Sequence, residues 1–131
     1  MAKGFCSKHG GGQTCTCAMG NLYRFIEPVL LLMLRDKGQS YGYELSEDLD
    51  HYALTDAQIE RAALYRTLRT LEVNGHVTST WDTEAAGPAR RVYSLTPSGH
   101  EHLREWSEVM GRLAKSMEAF TKRVEEPGGG A

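Results

Sequence analysis

One narrow apolar stripe near the C-terminus limits what this chain can fold into. Leu103, Trp106, Met110, Leu113, Met117, Phe120 and Val124 follow one another at intervals of 3, 4, 3, 4, 3 and 4 residues. That alternation places the side chains on one line along a helix, with the repeat that two supercoiled helices share. Three heptads make a helix too long for a small domain to cover. Packed on its own domain alone, it would leave Trp106, Met110 and Phe120 in water as a sizeable apolar patch. The stripe therefore predicts a second copy of the chain, a homodimer closed through this helix. A chain of 131 residues that is 40% apolar fits one domain with a modest core, and a partner copy often supplies the missing burial.

The residues before the stripe read as three helices and a hairpin. Asn21 is a candidate cap for a first helix, with Leu22, Phe25, Ile26 and Val29 at helical spacing, Pro28 as a place to kink or restart, and an end near Lys37-Gly38. Ser40 is the candidate cap of a second helix over about Tyr41–Tyr52, with Leu45 and Leu49 inward. Thr55-Asp56-Ala57-Gln58 has capping-box spacing. It predicts the start of a third helix whose inner stripe is Ile59, Ala63, Leu64, Leu68 and Leu71 and whose exit is Asn74-Gly75. Alternation over His76–Asp82 and Ala89–Leu95, joined across Gly87-Pro88, predicts two strands with Arg91, Tyr93 and Leu95 on one face. Thr96-Pro97 opens the last helix, with proline at its first position. The fold class that follows is mainly α with a small β-hairpin. It divides into an arm at 1–20, a winged helix-turn-helix domain at 21–96, the long dimerisation helix at 97–126, and a disordered tail at 127–131.

Charge sharpens the reading. The net charge is −2, but it is unevenly spread. Residues 41–60 hold six acids and no Lys or Arg, whereas residues 61–95 hold five arginines against three acids. Arg61, Tyr65, Arg66 and Arg69 share the polar face of the third helix, opposite Leu64, Leu68 and Leu71. A helix that enters a major groove needs such a face, because the guanidinium fork matches phosphate and guanine edges. Arg90 and Arg91 follow the Gly-Pro loop and, as strand neighbours, point to opposite faces, so either one serves DNA while the other packs its stem on the core, or both are rim residues. No nucleophile–base pair, phosphate loop or paired carboxylate stands out, and no enzyme activity is expected. No apolar run approaches the ~18 residues of a membrane helix, and residues 1–20 lack the core of a secretory signal. A cytoplasmic protein is expected.

Four stretches together resemble the PadR family of transcription regulators. Tyr41-Gly42-Tyr43-Glu44-Leu45 is similar to its second-helix signature, and Leu64-Tyr65-Arg66-Thr67-Leu68-Arg69-Thr70-Leu71-Glu72-Val73-Asn74-Gly75 to its recognition helix and exit turn. Gly87-Pro88-Ala89-Arg90-Arg91-Val92-Tyr93-Ser94-Leu95-Thr96 is similar to its wing, and the final helix to its dimerisation helix. The resemblance spans about Asn21 to Val124. It implies a winged helix-turn-helix dimer that binds double-stranded DNA; together with the arginine face and the wing read above, it makes Tyr41, Arg61, Tyr65, Arg66, Arg69, Arg90 and Arg91 the expected DNA-binding residues. It also implies repression, relieved by a small-molecule or stress effector, and the two-fold dimer layout predicts an inverted-repeat operator. One departure is Arg61-Ala62-Ala63, where many members carry a Pro/Ser-Gly-Thr turn.

The arm is the other departure. Cys6, His9, Cys15 and Cys17 supply four soft or borderline ligands, with Gly10-Gly11-Gly12 able to fold the chain back between the pairs. Three thiolates and an imidazole suit tetrahedral zinc. The same residues also admit a redox pair, an iron–sulfur cluster or idle thiols. His51, His76, His100 and His102 form no comparable cluster in sequence and read as surface or helix-end residues. The competing functional class is a metal- or redox-binding interaction module whose winged helix contacts protein, which the acidic second helix would suit.

Overall fold

A computed structural model describes residues 25–54, 59–84 and 87–126. In chain order the elements are α1 (Ile26–Lys37), β1 (Ser40–Tyr41), α2 (Gly42–Tyr52), α3 (Arg61–Val73), β2 (Val77–Asp82), β3 (Arg90–Leu95) and α4 (Pro97–Glu125). This is the predicted class, mainly helical with a small antiparallel sheet.

The first three helices close on one apolar core. Val29, Leu30, Leu31, Met33 and Leu34 from α1 meet Leu45 and Leu49 from α2 and Leu64, Leu68 and Leu71 from α3, with Val77 and Tyr93 from the sheet. Pro28 does not kink α1. It lies in the first turn, where an amide has no helical acceptor and none is missed. Gly38 ends the helix at φ +80, and its amide bonds to the Leu34 carbonyl at 2.9 Å. The proposed cap at Asn21 lies outside the described residues.

Two expected helix starts are corrected. Ser40 does not cap α2, because it pairs with Tyr93 of β3, while Tyr41 pairs with Val92. Strand pairing claims both residues, so the sheet has three strands in the order β1-β3-β2 rather than two. The buried Ser40 hydroxyl donates instead to Glu44 at 2.5 Å. The third helix begins at Arg61, because Glu60 is extended (φ −72, ψ 146) and offers no side-chain cap. Ile59 precedes that helix and packs half-buried on the core. The capping box at 55–58 lies outside the described residues.

The exit of α3 follows the glycine rule closely. Gly75 takes φ +82, its amide bonds to Glu72 O at 3.0 Å, and the His76 amide reaches Leu71 O at 2.9 Å. This pair of bonds satisfies the last carbonyls of the helix. Thr96 then ties the turn to α4: its hydroxyl donates to Gly75 O at 2.6 Å and accepts the Gly99 amide at 3.0 Å. Gly99 is buried against the same turn, and a Cβ there would come within 2.0 Å of His76 O.

The long helix α4 has 29 residues, about 43 Å of axis. Its two halves differ. Leu103 and Trp106 are half-buried against the core, and Trp106 Nε1 donates to Glu27 Oε1 of α1 at 3.0 Å. The expectation that Trp106 would stand exposed in one chain is therefore corrected. Its flat ring lies over α1, which the spacing alone did not reveal. His102 also binds Glu27, and its ring stacks on His76 at 4.0 Å between centroids and 8° between planes. Two histidines that looked isolated in sequence thus join α4 to the α3–β2 turn. Beyond the half-buried Met110, no described residue covers the stripe. Leu113, Met117, Phe120 and Val124 are 39, 51, 68 and 68% exposed.

Candidate nucleic-acid interface

The outer face of α3 is built on the stripe that anchors its inner face. With Leu64, Leu68 and Leu71 fully buried, the 100° step of the helix turns Arg61, Arg66 and Arg69 outward, and all three are exposed. Among the described residues no carboxylate pairs with Arg66 or Arg69. Arg61 Cζ sits 5.9 Å from the Tyr43 ring centroid, a cation–π contact that steadies the start of the helix. Tyr65 is less available than the helical wheel suggests. Its ring lies on Gly42, where a Cβ would come within 2.5 Å of Cε1. Gly42 thus lets α2 and α3 approach, and Tyr65 packs the joint while its edge lines the cleft outside.

That cleft, about 660 Å³, runs between α2, α3 and the sheet and includes Tyr41, Tyr43, Tyr65, Tyr93, Arg90 and Arg91. Glu44 and Glu47 of α2 also line it, so the acidic stretch is adjacent to the arginines. The acids are partly occupied within the fold. Glu44 accepts from Ser40, and Glu47 accepts from the Tyr43 phenol, raising that phenol above its ordinary pKa.

The two wing arginines separate as strand geometry requires. Arg90 lies 5.4 Å over the Tyr41 ring. The Tyr41 hydroxyl donates to Asp82 Oδ2 at 2.7 Å. That bond raises the phenol pKa and keeps the proton on it. Tyr41 therefore joins β1 to the end of β2, and its proton is already donated. Arg91 turns to the opposite face, toward α3. Its Nε donates to Ser79 Oγ at 2.8 Å, its Nη2 is 3.9 Å from Glu72 Oε1, and its guanidinium is 5.4 Å from the Trp81 ring centroid. Arg91 is thus tied to β2 and α3 through Ser79 and Glu72, while neither wing arginine is buried.

A three-helix core, a sheet leading to α4, an arginine face on the third helix and a cleft beneath the wing form one assembly. The profile of the Transcriptional regulator PadR-like family matches residues 30–105. The chain belongs to this family. Members of the PadR-like family are transcription regulators, not enzymes, and bind DNA with a winged helix. A PadR family regulator from Eggerthella lenta is 28% identical and superposes with a TM-score of 0.62, covering 79% of this chain and 85% of its own. A transcriptional regulator from Clostridium thermocellum is 26% identical at a TM-score of 0.66, covering 76% and 92%. An uncharacterised protein of Lysinibacillus sphaericus is 27% identical over 99 residues, 72% of this chain and 90% of its own.

The seven residues expected at DNA stand in three different states. Arg61, Arg66 and Arg69 are exposed on α3, and Arg90 is exposed on the wing. Tyr41 and Tyr65 are half-buried joints, and Arg91 is held by α3. Glu72, Ser79 and Gly42 shape the site and escaped the sequence reading. Only the Gly-Tyr of Tyr41-Gly42-Tyr43 offered a signal, and it does not name Tyr65 as the partner. Cys6, His9, Cys15 and Cys17 lie outside the described residues. Among the described residues no group of three or more His, Cys, Asp or Glu could hold a metal ion, and no helix is long and apolar enough to cross a membrane.

Proposed function

We propose that this PadR-like regulator is a cytoplasmic, homodimeric repressor that reads an inverted-repeat operator with α3. The observation that carries the reading is the exposed arginine face of Arg61, Arg66 and Arg69, backed by the fully buried Leu64, Leu68 and Leu71. In a major groove, forked guanidinium groups contact guanine edges and phosphates. Arg90 supplies a further contact from the wing. The second copy is argued from the bare distal stripe of α4, since apolar side chains in helical register are buried well against an identical helix. Two-fold symmetry then sets the two α3 helices on successive major grooves, about 34 Å apart. An effector acts by favouring one angle between the winged domains over another.

The test is a titration of a duplex, selected from a randomised pool, at several salt concentrations. Binding is expected to fall steeply as salt rises. Arg66→Ala is expected to weaken it by roughly 1–3 kcal/mol if the side chain reads a base. Salt-independent binding, or none, would overturn the reading.

For the arm, the reading is that Cys6, His9, Cys15 and Cys17 hold one zinc ion. Ligand number, ligand softness and the three glycines between the pairs support it. Metal analysis of protein purified without oxygen is expected to find one zinc per chain. An iron signal, or a reversible disulfide with no metal, would replace zinc with a cluster or a redox pair.

A further inference from the structure

A chain of three side chains joins the recognition helix to the wing. Glu72, in the last turn of α3, accepts the Ser79 hydroxyl at 2.6 Å. Ser79 Oγ in turn accepts Arg91 Nε at 2.8 Å, and Arg91 Nη2 lies 3.9 Å from the other Glu72 oxygen. Ser79 is on β2 and Arg91 on β3, so one carboxylate touches both strands of the wing. Its placement is otherwise unfavourable. The C-terminal end of a helix carries the negative end of the helix dipole, and α3 has no basic residue in its last turn to offset Glu72. Arg91 supplies the missing charge from across the sheet. It remains about half exposed, close enough to solvent to swing away if released.

We propose that Glu72 is a positioning residue for DNA recognition: by holding Ser79 and Arg91 it fixes the wing against α3 and withholds Arg91 from phosphate. The inference rests on the reading of the chain as a DNA-binding regulator. Arg90, on the other face of β3 over Tyr41, is then the wing arginine left for DNA. Withholding one cation matters for selectivity, because phosphate contacts strengthen all duplexes alike and carry no sequence information.

The test measures the slope of log K against log salt on a mixed-sequence duplex of about 30 base pairs. Glu72→Gln keeps an acceptor for Ser79 but removes the charge that holds Arg91. The slope is expected to become more negative by about one, the signature of one added phosphate contact. Affinity for the mixed duplex should rise roughly threefold to tenfold at low salt. The ratio of affinities for a selected operator over the mixed duplex should fall. Arg91→Ala alone should leave the slope as it is, and Glu72→Gln combined with Arg91→Ala should restore it. A merely structural Glu72 would change the melting temperature and not the slope. Should Glu72→Gln fail to fold by circular dichroism, Ser79→Ala removes the Arg91 Nε contact without altering charge, and the same fall in ratio is expected. An unchanged slope and ratio, or a slope reduced by Arg91→Ala alone, overturns the inference while DNA binding stands. Absence of salt-dependent binding by the unaltered protein overturns both.

Discussion

The two halves of α4 carry the same heptad pattern and meet opposite surroundings. Leu103 and Trp106 lie on α1, where Glu27 accepts the indole N–H and binds His102. From Leu113 to Val124 the same stripe is exposed. An identical repeat therefore has two fates: the proximal turns fasten the helix to the winged domain, and the distal turns stay bare, the surface on which the proposed second copy would pack. In the proposed dimer, motion of the winged domains relative to the two-fold axis would pass through the proximal half, because there α4 is joined to its own domain.

The comparison breaks first where charge is placed in the distal half. Leu113→Glu with Met117→Glu is expected to convert a dimer to a monomer in sedimentation, since each carboxylate would be buried against apolar surface at a cost of several kcal/mol. Helix content should hold, because neither side chain is buried within one chain. A double variant that remains dimeric would place the seam elsewhere.

Gly99→Ala probes the joint itself. The added methyl would collide with His76 O at 2.0 Å, and backbone cannot yield as a side-chain tip can. Thermal unfolding should show a loss of about 3 kcal/mol, with fluorescence of Trp106 shifting as α4 lifts from α1. Unchanged stability would mean that the α3–β2 turn can move freely. Trp106→Phe is milder. It removes the hydrogen bond to Glu27 and should cost about 1 kcal/mol, with dimerisation intact. A loss of the dimer instead would show that the proximal half also faces the second copy.

The smallest effect is one of pH, and it belongs to the winged domain alone. Lys37 Nζ lies 2.5 Å from Asp48 Oδ2, tying α1 to α2. The hydrogen bond to Lys37 holds the Asp48 carboxyl below its ordinary 3.8. The bond to Asp48 raises Lys37 above 10.5. The Asp48 contribution is present above its unfolded value and disappears as pH falls through the lowered folded value. The Lys37 contribution is present below its unfolded value and disappears as pH rises through the raised one. Asp48→Asn should therefore lower the melting temperature slightly at pH 7 and not at pH 2. An equal difference at both would assign the effect to something other than the ion pair. The dimer should be indifferent at neutral pH.

Much of the fold was legible because it depends on neighbours three or four residues apart. The leucine stripe of α3, the exits at Gly38 and Gly75 and the Thr96-Pro97 start of α4 each follow from local spacing, and each stands where the spacing put it. The start of α3 did not follow. Glu60 is extended, and no local pattern indicated it. At two residues, β1 is too short to show a period, and it exists only because Tyr93 and Val92, more than fifty positions later, accept it as an edge.

The functional face divides in the same way. That Arg61, Arg66 and Arg69 point away from the core follows from helical geometry once Leu64, Leu68 and Leu71 face inward. The same geometry and strand alternation required Arg90 and Arg91 to part. They did not say which would be held. The answer came from Glu72 and Ser79, which reach Arg91 across the α3–sheet contact. The stack of His76 on His102, 26 positions apart, has the same origin. By itself the sequence determined the order of the helices, their inner faces and the apolar repeat of α4, because those depend on interactions within a few residues of the chain. Tertiary structure alone decided which charges are paired, which tyrosines are joints and where the apolar repeat passes from covered to bare. Those outcomes depend on side chains that meet only after the helices have packed.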